Sequence, residues 1–119
     1  AWRKANLRYW PWYGRGFVQL TWQFNYEKAD KELGLGGTLI AKPDRAMEID
    51  IAAKVMRHGM EEGWFTAGKH TLPGHLPSRL GTLPEYEEAR RIINGTDKKH
   101  TVAVYALSFQ DALIAGGWQ

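Results

Sequence analysis

Residues 13–26 read Tyr-Gly-Arg-Gly-Phe-Val-Gln-Leu-Thr-Trp-Gln-Phe-Asn-Tyr. Gly14 and Gly16 bracket Arg15, so the backbone there is free to turn and to approach a ligand closely. Val18-Gln19-Leu20-Thr21 reads as a short extended run, which puts Gln19 and Thr21 on one side. Thr21 fits a helix N-cap. Asn25 follows about one helical turn later and returns to the same flank. Gln19, Thr21 and Asn25 are therefore expected to converge beside Tyr13, Trp22, Phe24 and Tyr26. Neutral amides and a hydroxyl bordered by rings suit a sugar polymer. The polar groups bond hydroxyl and acetamido groups, and the rings cover apolar sugar faces.

Outward from this stretch the chain reads as helical. Trp22, Tyr26, Ala29 and Leu33 recur at helical spacing, and Gly34 is a natural stop, predicting a helix over 22–33. Gly36-Gly37 marks a loop. Pro43 opens a short turn, with Asp44 favouring a helix start. Ile49, Ala52, Ala53, Met56 and Met60 form an apolar stripe on a second helix, 49–62, whose Ala52, Met56 and Met60 are expected to be buried. Residues 68–84 hold three prolines and two glycines after Gly68 and read as an irregular loop. A third helix is expected over 85–93, stopping at Asn94-Gly95. Val102, Tyr105, Ala106, Phe109 and Leu113 give a fourth over 101–115. The expected fold class is all-α.

Length and composition bound the function. The 119 residues suit one small domain with its own core. No run approaches membrane-spanning length, so no membrane insertion is expected, and no signal peptide lies within the chain. Cysteine is absent, which excludes disulfides and cysteine nucleophiles. Arg3, Lys4, Arg8 and Arg15 precede the first acid, Glu27, and are interleaved with Trp2, Tyr9, Trp10, Trp12 and Tyr13. Such a segment could attract single-stranded nucleic acid or an anionic cell wall, or be core and cleft wall with solvated charges. A net charge of +3 is too small for a dedicated nucleic-acid binder.

Gly-Arg-Gly-x-x-Gln-Leu-Thr-Trp-x-x-Asn-Tyr resembles the signature of the family 19 glycoside hydrolases, the plant-type chitinases and related lysozyme-like endolysins. Lys31-Glu32-Leu33-Gly34-Leu35, Pro43-Asp44, Ile51-Ala52-Ala53, Gly59 to Thr66 and Ala89 to Asp97 follow in the order of the endolysin-like branch. The resemblance runs from about Tyr13 to about Leu113. It implies a lysozyme-like helical fold, with residues 1–119 as a single domain forming the carboxyl-terminal majority of a longer catalytic domain. It also implies cleavage of β-1,4-linked N-acetylhexosamine polymers, peptidoglycan ahead of chitin, at the cell wall or outside the cell. No cofactor or metal and a monomeric state are expected.

Two carboxyl groups perform that chemistry in the family. One protonates the leaving oxygen and the other activates water on the opposite face, with inversion. Both precede the Gly-Arg-Gly stretch, the acid in a His-Glu pair, and are expected upstream of this chain. None of His58, His70, His75 and His100 is followed by Glu. By resemblance Thr21 helps hold the attacking water. Gln19, Asn25 and Asn94 contact substrate, and Tyr13 lines the cleft. The basic residue of the family's last helix has no counterpart here, where Val102-Ala103-Val104-Tyr105 stands.

Plainer readings accompany these roles. Thr21 serves as a cap, and Asn94 before Gly95 as a left-handed helix stop. Asn94-Gly95-Thr96 also matches a glycosylation acceptor. Glu61 and Glu62 are adjacent on a helix and cannot flank one bond; one of them is expected to tie down the Trp64-Phe65-Thr66 turn. The histidines are too scattered for a metal site. Glu85, Glu87, Glu88, Arg90 and Arg91 read as a solvated helix face. The alternative function is a catalytically inactive carbohydrate-binding or interaction module that retains the cleft wall.

Overall fold

The computed structural model describes residues 8–118; Trp2, Arg3 and Lys4 of the basic, aromatic opening lie outside them. Among the described residues the regular elements are all helical, and the only β pairing is an isolated bridge between Arg15 and Leu20. The chain is therefore all-α. It forms two compact units, Ala1–Gly59 and Met60–Gln119. Among the described residues no helix is long and apolar enough to cross a membrane.

In the first unit, helix α1 spans Gln23–Leu33. It buries Tyr26 and Ala29, as their spacing requires, and ends at Gly34 with φ 64°. The Gly34 N–H bonds the Asp30 and Lys31 carbonyls, and the Leu35 N–H bonds Asp30 at 3.0 Å. The left-handed glycine thus satisfies orphaned carbonyls. The Asp30 carboxylate is buried and accepts from the Gly37 N–H at 2.8 Å and the Leu39 N–H at 2.9 Å. Those are unpaired donors at the start of the next helix, α2 (Thr38–Ala41), so Asp30 performs a capping role across a loop. A 3-10 turn over Pro43–Met47 leads into α3 (Ile49–Glu62).

Helix α3 forms over the expected span, but its buried face differs. Ile51, Ala52, Val55 and Gly59 are buried, whereas Met56 is 37% exposed, Met60 is half-buried and Ile49 is open. Ile49, Ile51, Ala52, Ala53, Val55 and Met56 offer two overlapping apolar stripes, and periodicity does not rank them. The tertiary partner does: Leu20, Ala46, Ala52 and Val55 enclose one apolar contact beneath Gly16.

In the second unit, α3 stops at Gly63, φ 73°, and a 3-10 turn follows over Trp64–Thr66. The indole N–H of Trp64 donates to Glu62 at 3.1 Å, so Glu62 holds this turn as expected. The 68–84 segment is less irregular than its prolines suggest. It contains helix α4 (Leu72–His75), with Thr71 accepting from the Gly74 N–H. Helix α5 (Leu83–Ala89) begins two residues earlier than expected, because Thr82 and Glu85 form a capping box with Pro84 in the first turn. A break at Arg90 separates α5 from α6 (Arg91–Asn94), which ends at Asn94-Gly95.

Helix α7 (Lys99–Ala115) packs against α5. Only Ala103 of α7 is buried. Val102, Tyr105, Phe109 and Leu113 are exposed, Phe109 at 72%, so the apolar stripe does not face the core. A polar residue fixes the face instead. Gln110 accepts from the Gly81 N–H at 2.8 Å and from the Tyr86 hydroxyl at 2.6 Å, and donates to the Gly81 carbonyl at 3.0 Å. The charged face of α5 is engaged rather than merely solvated: Glu88 pairs with Arg91 and Lys99, and Glu87 with His100.

Candidate functional site

Residues 16–19 form a tight turn, not the extended run expected over 18–21. Arg15 and Leu20 exchange backbone bonds at 3.2 and 2.9 Å, and the loop closes through left-handed Gly16 (φ 78°) and Gln19 (φ 55°). Gly16 permits a close approach, but to the protein itself. A Cβ there would stand 2.9 Å from the Ala46 carbonyl oxygen, and one on Gly14 would stand 2.7 Å from the Gln19 side chain.

Beneath the turn lies Arg15, only 4% exposed. Its Nε donates to Asp44 at 3.0 Å, and its Nη1 donates to the Pro11 carbonyl at 2.8 Å and the Tyr26 hydroxyl at 2.9 Å. The guanidinium carbon sits 3.8 Å from the centre of the Tyr13 ring. The Tyr26 hydroxyl donates onward to the Tyr13 carbonyl at 2.6 Å. Burial would lower the Arg15 pKa, but the Tyr26 bond and the Asp44 contact outweigh it and the net shift is upward. Burial also raises Tyr26 above the usual tyrosine range, against the opposite pull of Arg15. A hydroxyl that must donate to Tyr13 is held protonated.

This hub fixes Tyr13, whose ring also stacks on Trp10 with centroids 5.5 Å apart. The three polar candidates follow on one connected strip. Gln19 is exposed; its amide donates to the Gly16 carbonyl at 3.0 Å, and its side-chain oxygen accepts no bond among the described residues. Thr21 is not the helix cap. Trp22 holds that position without a side-chain capping bond, and the Thr21 hydroxyl donates to the Gln19 carbonyl at 2.8 Å. Asn25 is half-buried and donates to the Thr21 carbonyl at 2.8 Å. The first unit thus links Gln19, Thr21 and Asn25 in series, and Arg15, at the base of the same turn, holds the Tyr13 ring. Each amide donates one proton to the chain and keeps a second, and the Gln19 side-chain oxygen lies over Gly14.

Asn94 belongs to the second unit, exposed at the end of α6. Among aromatic neighbours, Trp22 meets Tyr9 edge-on at 5.0 Å and carries Arg8 over its ring, and Phe24 is exposed. His70 and His75 are not scattered: His70 Nδ1 and His75 Nε2 lie 2.9 Å apart. Chain reversal through α4 brings them together, which their spacing alone does not signal. Among the described residues no three metal-ligating side chains cluster.

Sequence reasoning missed Arg15, Tyr26 and Asp44 as the frame of the site. The signal available was a lone cation between two glycines, and its partner Asp44 lies 29 residues away. Comparison of the chain with protein-family models, curated proteins and solved structures finds no match.

Proposed function

We propose that this chain forms the substrate-facing wall of a glycoside hydrolase resembling family 19, with a lysozyme-like arrangement. It acts on β-1,4-linked N-acetylhexosamine polymers, peptidoglycan ahead of chitin. The observation carrying this reading is the strip Gln19–Thr21–Asn25, hydrogen-bonded in series beside a ring fixed by a buried arginine. Amides and a hydroxyl held by a rigid frame suit the hydroxyl and acetamido groups of such sugars. Tyr13, Gln19 and Asn25 contact substrate, and Thr21 helps to position water.

The acid and base belong to a longer parent protein. A threonine hydroxyl supplies neither proton transfer, and a positioned acid contributes about a hundredfold to ten-thousandfold in rate. Reducing-sugar release by the 119-residue chain and by an amino-terminally extended parent tests the assignment. The parent hydrolyses with inversion, and the chain alone is feeble. Equal turnover by both would place the carboxyl pair inside this chain and overturn the assignment. The second reading is an inactive carbohydrate-binding module that retains the same strip. An extended parent that binds oligosaccharide without turnover would establish it.

A further inference from the structure

Asparagine followed by glycine is chemically labile wherever the following backbone nitrogen reaches the side-chain carbonyl carbon. The chain has three asparagines, Asn6, Asn25 and Asn94, and only Asn94 precedes glycine. Asn94 is exposed, and its amide makes no hydrogen bond among the described residues. It ends a four-residue helix, and so short a helix has little cooperativity to hold its last ψ angle. The Gly95 N–H makes no backbone bond of ordinary geometry, and the space where a Cβ would stand is open. Gly95 has φ 58°, outside the helical region, so the chain has already left the helix there.

We propose that Asn94-Gly95 is a self-modification site at which the Asn94 amide is converted to a carboxylate. The Gly95 nitrogen gives its proton to solvent base and attacks Asn94 Cγ. The new C–N bond closes a five-membered succinimide, and the side-chain nitrogen departs with a proton as ammonia. Water then opens either ring carbonyl, leaving aspartate or isoaspartate. The net change is amide plus water to acid plus ammonia, with no redox partner and no enzyme. Asn25 provides the internal contrast. Its amide is bonded to the Thr21 carbonyl, it lies inside α1, and the bulky, fully buried Tyr26 follows it. The turn thus adds a negative charge at one residue. This chemistry does not depend on the sugar reading.

The test is incubation of the intact chain at neutral and mildly alkaline pH, followed by peptide mapping and ammonia measurement. A synthetic peptide of residues 90–99 serves as the unfolded reference. The expected result is conversion confined to Asn94, faster at the higher pH, with a new acidic isoform and an isoaspartate product. Asn94→Gln, whose longer side chain would have to close a six-membered ring, shows no such isoform over the same period. An Asn94 that stays amide while the peptide converts fully, or earlier conversion at Asn25, overturns the proposal. Undiminished acidic isoform from Asn94→Gln does so as well.

Discussion

The Arg15 guanidinium donates to the Tyr26 hydroxyl at 2.9 Å, and that hydroxyl donates to the Tyr13 carbonyl at 2.6 Å. A buried cation, a helix residue and the ring of the candidate site are thereby one unit. Arg15→Met should cost about 1.5–3 kcal/mol, because it removes charge-assisted bonds to the Pro11 carbonyl and the Tyr26 hydroxyl, while Asp44, 74% exposed, is hydrated. Chemical denaturation checks the value. A change within about 0.5 kcal/mol, the range of ordinary surface substitutions, would mean that the hub is not structural.

Tyr26 gives a pH signature. Its folded pKa is raised, so the folded state retains the proton longer than the unfolded chain. The stabilisation is complete below about pH 10 and is lost as pH rises through the folded value. Tyr26→Phe removes one titration and two hydrogen bonds. It should lower stability at neutral pH by about 1–3 kcal/mol and flatten the decline above about pH 10. A variant as steeply alkaline-sensitive as the parent would contradict this.

Gly16 is required by conformation and space together. Gly16→Ala meets both a positive φ and a carbonyl at 2.9 Å, and should cost about 2 kcal/mol. Gly36→Ala has a similar φ, 65°, but open surroundings, so it should cost less. Equal losses in thermal melts would show that the Ala46 contact contributes nothing.

Gln110 tests the second unit. Gln110→Ala leaves the Gly81 amide and the Tyr86 hydroxyl to find water, and should cost about 1–3 kcal/mol. Hydrogen exchange at the Gly81 N–H should speed up in the variant. Unchanged exchange would leave the α5–α7 contact to apolar packing.

Much of the helical content was legible because punctuation and periodicity agreed. Tyr26, Ala29 and Gly34 defined α1, and Asn94-Gly95 ended α6. Faces were less legible. On α3 the apolar residues outnumber the buried positions, so the partner under Gly16 chose Val55 over Met56. On α7 the choice fell to Gln110, whose partners lie 24 and 29 residues away. The 16–19 turn was hidden because Gln19 adopts a left-handed conformation that glutamine seldom takes. At the candidate site the residue types were readable, and the hydrogen bonds linking them were not. The expected period-two alignment of Gln19 and Thr21 is replaced by the Thr21 hydroxyl bonding back to the Gln19 carbonyl.

On the proposed function, Gln19, Thr21 and Asn25 meet an N-acetylated sugar chain. The most direct test is titration of the protein with N-acetylglucosamine oligomers, followed by backbone amide NMR and repeated with Asn25→Ala. The shifts should concentrate at residues 13–25, with Asn25→Ala weakening binding by about 1 kcal/mol or more while the fold stays intact. Shifts absent from that strip, or an Asn25→Ala affinity equal to that of the parent, would contradict it.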